Sequence, residues 1–586
     1  MQLISKILAY FGQNEKKVLI GISLLLLLIK LVLLPFSATV DADAVSRVLM
    51  AEKWLTEDNI IPYGVWAPLH LYLNSFIIFL TQDRVWSPIV INIILSCLTV
   101  FPLFYFTKTV FSEKGAIFST LLFVLSPVVF RNSFLALSST PYVFLVMLSF
   151  YLLATAIKEQ KWKFYVLSGL VITLAAGFRY EAWVLIAVMT LISLVNKQWK
   201  GTVLFWLSAM IFPLVWMAIG LIYHGDILFG VSGAYHWNVE LLGVNENLDV
   251  VEKIKRFIFF PMSWFLVCSP FIAVAIIYTV YKNARLKRFT KNQLLWMIPF
   301  VLLFGMFIYK SMNGTLLLQH RFSISLLILS VPLFSLFFEG RKFEIKSTFS
   351  ILALALMIPM SFFWNSFHFY HGIFFSQKLK TAVEEIQLSE FNQTEAFPYF
   401  EDDKVYDWKK TISEASHSDD GLILDFVSWS NTYYWALHSG VKEKGIFFHA
   451  GTPNEEVRFE VLHEVLTKQP KGLIMLFCMS KHLDYYDISG SCLSLKGYDN
   501  LYNLSLIESK DGLSLYRYEL CDDCSNSEPD IVSCMDCPEP GTKERIIMEI
   551  MYNDVMMASI RMKASLKGVS IDEMIELDAQ YILDHQ

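Results

Sequence analysis

Asp41 and Asp43 stand one residue apart, directly after the strongly apolar segment Val18 to Leu34 and before an amphipathic stretch that ends near Glu57. Carboxylates at the mouth of a membrane are expensive to keep unless they do chemistry. A water-facing carboxylate can take the proton of a hydroxyl and turn it into a nucleophile. If Asp43 opens a helix, Val45, Val48, Leu49 and Leu55 share one face, suited to lying on a bilayer, and Asp43, Arg47 and Met50 share the other. Asp43 and Arg47 are four apart and can pair. Capping the helix explains one acid, not two.

Three further groups belong with these acids. Arg179-Tyr180-Glu181 separates two apolar blocks, either as a self-neutralising pair fixing a tight turn or as part of a site. Gln319-His320-Arg321-Phe322 opens a late apolar block. An arginine there can snorkel to lipid headgroups, or its forked donors can hold a phosphate, with Lys310 and His320 assisting. His70, Arg47, Arg179, Glu181 and His236 are candidates to line the substrate cavity, and His224, Asp226, Tyr235 and Trp237 share the loop of His236. The chemistry that fits is glycosyl transfer by direct displacement. Asp43 takes the acceptor's proton as its oxygen attacks the anomeric carbon, and Arg321 stabilises the departing phosphate. The Asp-x-Asp spacing could also bind a divalent metal.

The elements that must position these residues are membrane helices. Of the 586 residues 55% are hydrophobic and only 17% charged, too apolar for a soluble protein of this length. The net charge of -6 gives no reason to expect a nucleic-acid partner. The apolar blocks read as about eleven spans, each long enough to cross a bilayer: 18–35, 88–107, 115–131, 138–157, 164–179, 181–196, 202–223, 257–281, 292–309, 321–338 and 348–366. Lysines and arginines gather in alternate connections, among them Lys16 and Lys17, Lys158 to Lys163, Lys282 to Lys291, and Arg341 to Lys346. The positive-inside rule makes that side cytoplasmic, so the N-terminus is inside and the acidic loop, the loop 224–256 and the C-terminal region are outside. A lipid-linked donor follows, because nucleotide sugars are scarce outside the cytoplasm. The first apolar block lacks a cleavage pattern and reads as a retained helix. The stretch 68–80 is too short to span and reads as a helix on the outer face.

From 371 to 520 the chain reads as soluble. Gly421–Val427, Gly445–His449 and Gly472–Cys478 are expected strands, 454–468 a helix, and 502–508 with 513–518 a hairpin around Lys510-Asp511-Gly512, together a small α/β domain. Beyond it, Cys521, Cys524, Cys534 and Cys537 form two Cys-x-x-Cys pairs in an acidic linker, ahead of amphipathic helices near 542–564 and 571–584. The cysteines suit disulfides, for instance Cys478 with Cys492, or two zinc knuckles.

Asp41-Ala42-Asp43, the helix ending Ala51-Glu-Lys-Trp-Leu55 and Ala67-Pro-Leu-His-Leu-Tyr72 resemble the GT-C superfamily of membrane glycosyltransferases, and in particular family 39, with its protein O-mannosyltransferases and lipid A aminoarabinose transferase. Counted back from Ala51 and Leu55, the family's catalytic acid falls on Asp43. The family often has two adjacent acids, whereas Ala42 separates them here. Arg321-Phe322 resembles the Arg-Tyr that opens a late span in many members. The resemblance covers roughly residues 1–340, sharply over about 36–80, and implies a polytopic α-helical membrane protein of GT-C fold with its catalytic domain in 1–370. The chain's own pattern adds an extracytoplasmic α/β domain over 371–520 and a cysteine-containing tail with a helical hairpin over 521–586, where no family resemblance is seen. The resemblance also implies a polyprenyl-phosphate sugar donor, membrane lipids as surroundings, and a protein, lipid or glycan acceptor. The competing readings are a transporter or flippase of lipid-linked sugars, and a metal-dependent oligosaccharyl or polymer ligase using a diphosphate lipid. Transporters place charges in mid-span, and here the charges gather at the outer ends.

Overall fold

The structure, a computed structural model, describes residues 14–34, 42–55, 66–113, 115–241, 248–268, 270–338, 408–425, 429–449, 455–478, 483, 485–489, 491–510, 512–521, 538–539, 541–551, 556, 560, 563–564 and 569–584. The helices run, in chain order, α1 Glu15–Leu33, α2 Ala42–Lys53, α3 Leu69–Thr81, α4 Ser87–Leu98, α5 Val100–Val110, α6 Ala116–Val124, α7 Pro127–Ser133, α8 Ser139–Glu159, α9 Trp162–Phe178, α10 Glu181–Val195, α11 Trp199–Ala209 and α12 Ile211–His224. They continue with α13 Phe229–Tyr235, α14 Val250–Val267, α15 Pro270–Arg285, α16 Lys291–Met312 and α17 Ile324–Phe334, then α18 Lys409–Ala415, α19 Trp429–His438, α20 Glu455–Lys468, α21 Lys543–Met551 and α22 Ile571–Asp584. The chain divides into two compact units. The first holds the described residues of Met1–Ala38, Asn59–Thr81 and Trp86–Phe397; the second holds those of Thr39–Asp58, Gln82–Val85 and Pro398–Gln586.

The first unit is a helical bundle. Among the described residues Ser87–Val110, Ser139–Glu159, Trp199–His224 and Lys291–Met312 are each long and apolar enough to cross a membrane. Val250–Val267 and Ile272–Arg285 pass only as a pair, bent by 102°. The straight span expected over 257–281 is therefore broken, and Pro270, which has no N–H to continue a helix, begins the second piece. The block 115–131 is likewise two short helices, with Pro127 starting α7. The expected span 348–366 lies outside the described residues.

Small residues let these helices approach closely. Ser149 of α8 and Ser168 of α9 each donate to the other's carbonyl at 2.8 Å. A side chain at Gly169 would run into the backbone of Phe205 and the hydroxyl of Ser208 on α11, and one at Gly177 into Leu69 of α3. α9 is thus locked between neighbours up to Phe178, the residue before Arg179. α16 starts with a reciprocal cap: Thr290 Oγ1 accepts from the Gln293 amide at 3.1 Å, and Gln293 Oε1 accepts from the Thr290 amide at 3.0 Å. One buried cation sits within the first helix. Lys30 Nζ donates to Ser96 Oγ at 2.7 Å and lies 5.4 Å from the centre of the Phe130 ring. These neutral partners serve a buried ammonium that the outer-end pattern of charges did not announce.

The second unit carries a seven-stranded sheet of order β2-β1-β3-β7-β6-β5-β4: β1 Gly421–Asp425, β2 Ile446–His449, β3 Lys471–Phe477, β4 Tyr486–Ser489, β5 Cys492–Leu495, β6 Leu501–Lys510 and β7 Leu513–Cys521. β1 pairs in parallel with β2 and β3, and the other pairs are antiparallel. α20 is the crossover between β2 and β3. The expected strands, helix and hairpin are found; β4 and β5, four residues each, are too short for alternation to reveal. The core joins Ile423, Ile474, Leu476, Leu493, Leu504, Tyr516 and Tyr518 from the strands to Leu462 and Leu466 from α20. α21 and α22 pack on each other around Ile546, Ile550, Met574, Ile575 and Ala579. Cys478 and Cys521 are disulfide-bonded, whereas Cys492 keeps its thiol, so the pairing of Cys478 with Cys492 is not the one formed.

α2 belongs to this second unit, where it packs against α19 and the short 3-10 turn Glu443–Gly445. Val45, Val48 and Leu49 are buried and only Leu55 is exposed. The apolar face expected to lie on a bilayer is therefore largely buried within the protein. An amphipathic stripe records that a helix must bury one side, not what covers it.

Candidate active site

Each unit contributes sequence candidates. In the first unit α9 ends at Phe178, Arg179 takes an extended conformation, and Glu181 opens α10. The turn folds the guanidinium back onto the carboxylate. Arg179 Nη2 and Nε donate to Glu181 Oε1 at 2.6 and 3.1 Å, and Nε also approaches Oε2 at 3.3 Å. Both side chains are mostly buried, and a forked ion pair is the arrangement that tolerates this. The Arg179 guanidinium lies over two rings, 5.3 Å from Phe322 and 5.8 Å from Tyr142.

Phe322 joins this pair to the motif that opens the late apolar block. The Arg321 guanidinium lies 5.7 Å from the same ring and its Nε donates to Gln319 Oε1 at 2.8 Å. The partner amide is neutral, so it orients the cation without offsetting its charge. Arg321 and Arg179 are close enough to repel, and Lys310 is close enough to attract Glu181. Thr315 donates its amide and its hydroxyl to the Lys310 carbonyl, at 3.0 and 3.1 Å, closing the end of α16. The two motifs, 140 positions apart in sequence, thus meet in a cluster that holds Arg179, Glu181, Lys310 and Arg321. His320 begins the 3-10 turn His320–Ser323 that carries Arg321.

His70 and the loop that holds His236 border this cluster. The His70 ring is fully buried and meets Phe178 edge-on at 6.3 Å, one residue before Arg179. Asn238, in the π-helical turn His236–Leu241, donates to the Thr315 carbonyl at 3.4 Å, which ties the segment of His236 to the end of α16. His224 stacks on Phe229 at 3.6 Å, a packing role. Tyr142 and Ser325 are members that sequence reading missed. The two hydroxyls approach one another, yet neither reaches hydrogen-bond geometry with a partner among the described residues. Tyr142 stands near the start of the span 138–157, on the side where Arg321 opens its own, and that placement was the available signal.

In the second unit Asp43 occupies the first turn of α2 and is partly exposed, while Arg47, one turn later, is buried. Ser46 Oγ donates to the Asp43 carbonyl at 3.2 Å. Asp41 lies outside the described residues, as do Cys524, Cys534 and Cys537. Among the described residues no group of three His, Cys, Asp or Glu side chains is arranged to hold a metal ion.

Residues 65–223, which include His70, Tyr142, Arg179 and Glu181, match the family model of dolichyl-phosphate-mannose-protein mannosyltransferases. No curated protein matches the sequence significantly. Among solved structures the fold is similar to that of ArnT from Cupriavidus metallidurans bound to undecaprenyl phosphate, with a TM-score of 0.53 at 9% identity over 86% of this chain and 98% of that one. The apo state of the same enzyme aligns with a TM-score of 0.53 at 10% identity over the same shares. The oligosaccharyltransferase AglB from Archaeoglobus fulgidus, in complex with an inhibitory peptide and a dolichol-phosphate, aligns over 79% of this chain and 70% of its own at 12% identity, with a TM-score of 0.43, too loose to argue from. The family match covers residues 65–223, and the likeness to ArnT is one of fold: membrane-type helices with a C-terminal sheet domain.

Proposed function

We propose that this protein transfers a sugar from a polyprenyl-phosphate donor to an acceptor hydroxyl at the outer face of the membrane, with Asp43 as general base. The observation that carries the reading is the gathering of Arg179, Arg321 and Lys310 with Glu181 at the ends of helices. Forked guanidinium donors at such a place suit a phosphate. In the reaction the acceptor hydroxyl gives its proton to the Asp43 carboxylate as its oxygen bonds the anomeric carbon. The bond from that carbon to the phosphate oxygen breaks, and the electron pair leaves with the polyprenyl phosphate. Arg321 bears the charge that grows on the leaving oxygen, with Lys310 and His320 assisting; Arg47, His70, Arg179, Glu181 and His236 line the cavity, and Asp41 orients the acceptor or Asp43. About eleven spans, a cytoplasmic N-terminus and an outer C-terminal domain complete the proposal, supported by the alternation of basic loops and by the disulfides at Cys478 and Cys521, which suit an oxidising compartment.

Extraction of the purified protein and mass spectrometry of its lipids tests the donor class. A polyprenyl phosphate, with or without a hexose or pentose, is the expected companion. A protein that holds only bulk phospholipid, and does not consume a supplied polyprenyl-phosphate sugar, contradicts the proposal.

A further inference from the structure

Arg84 ties the last turns of the helix that carries Asp43 to the rest of the sheet unit. Its Nη1 donates to Glu52 Oε2 at 2.6 Å, in the last turns of α2. Its other bonds go to backbone carbonyls at the end of α19: Nη2 to Ala436 at 3.1 Å, Nε to Leu437 at 2.9 Å, and Nη1 again to Val441 at 2.8 Å. The side chain is 10% exposed. The end of a helix leaves carbonyls without intrahelical partners and carries negative partial charge, so a guanidinium there is held both by its donors and by the field. The carboxylate of Glu52 then compensates the remaining charge in a mostly dry setting. Lys53, the next residue of α2, adds a longer contact to Glu443 at 3.9 Å. Ser439 and Ser416 brace the same corner: Ser439 Oγ donates to the Ala436 carbonyl at 2.8 Å, and Ser416 Oγ donates to the Ser439 carbonyl.

We propose that Arg84 is a positioning residue: by joining Glu52 of α2 to the carbonyl end of α19, it makes the sheet unit the mount that sets the orientation of Asp43. The inference rests on the reading of Asp43 as the general base. Asp43 sits about two and a half helical turns from Glu52, about 13.5 Å along the axis, so a small tilt at the clamp becomes a displacement of an ångström or more at the carboxylate. Misplacement by that amount costs on the order of a hundredfold in rate while leaving donor binding alone. Lysine cannot replace the fork, because an ammonium cannot reach four acceptors in this planar arrangement.

The test compares Arg84→Lys and Glu52→Gln in the full-length protein, with a supplied polyprenyl-phosphate sugar and its acceptor. The expected result is a kcat lower by about ten- to a hundredfold, an unchanged KM for the donor, and faster amide hydrogen exchange across 42–53. Combining Arg84→Lys with Asp43→Asn decides whether the residue acts through the acid: the loss caused by Arg84→Lys should vanish in the Asp43→Asn background. A wild-type kcat in Arg84→Lys, unchanged exchange at 42–53, or an equal loss in both backgrounds overturns the proposal. Asp43→Asn at the wild-type rate instead overturns the reading of the base, which separates the two failures.

Discussion

At the scale of single residues the cluster at the helix ends makes Arg321 and Arg179 different in kind, although both are arginines beside the same ring. Arg179 is committed to Glu181 by three close contacts, so Arg179→Ala removes the forked partner of a mostly buried carboxylate and should lower folded yield in detergent, a loss expected at about 3 kcal/mol or more. Arg321 Nε donates to Gln319 Oε1, and Arg321→Lys keeps the charge but loses the planar fork, so transfer should slow while the protein still folds. Side-by-side measurements of thermal stability and transfer rate check both. Arg321→Ala with normal donor affinity and rate would reduce the residue to an interfacial anchor. Arg179, Glu181, Arg321 and Lys310 were all legible in the sequence, because charges at the ends of apolar blocks stand out. Their convergence was not, because nothing local in a sequence reports which span ends are neighbours. Tyr142 and Ser325 were missed for the complementary reason: an aromatic and a hydroxyl near the ends of apolar helices are ordinary there.

At the scale of elements, legibility followed length and contrast. The apolar blocks 88–107, 138–157, 202–223 and 292–309 and the longer strands of the sheet emerge with nearly the expected limits, since their patterns persist over enough residues. The break at Pro270 and the four-residue strands β4 and β5 did not, because a proline within an apolar run and a four-residue strand give little contrast. α2 shows a further limit. Its stripe of Val45, Val48 and Leu49 was read correctly and its partner was not, since bilayer and protein ask for the same apolar face. Two predictions belong here. Gly169→Val places branched carbons against Phe205 and Ser208, and should abolish stable expression, whereas Gly305→Val, where a side chain meets nothing, should be tolerated. Thr290→Ala removes half of the reciprocal cap of α16 and should cost about 1 kcal/mol, read as a lower midpoint of thermal unfolding.

At the scale of the whole molecule, the chain holds a helical bundle with cations clustered at helix ends and a sheet unit that includes the acid-bearing helix. The sheet unit should show its own dependence on pH. Burial, with help from the charges of Lys409 and Arg84, pushes His438 down to about 3. In the unfolded chain this imidazole takes up its proton near pH 6.5. Below that pH the unfolded state binds the proton and the folded state does not, so stability is full above about 6.5 and declines as the pH falls toward 3. Thermal unfolding at pH 7.5 and at pH 5 should therefore differ more in the wild type than in His438→Gln. The measurement that bears most directly on the central claim is sugar transfer from a polyprenyl-phosphate donor by wild type and by Asp43→Asn, at equal expression and equal donor binding. Asparagine caps a helix about as well as aspartate, so the fold should survive. Transfer should fall by about two to four orders of magnitude, the loss expected when a general base is removed. Asp43→Asn transferring sugar at the wild-type rate would contradict the account.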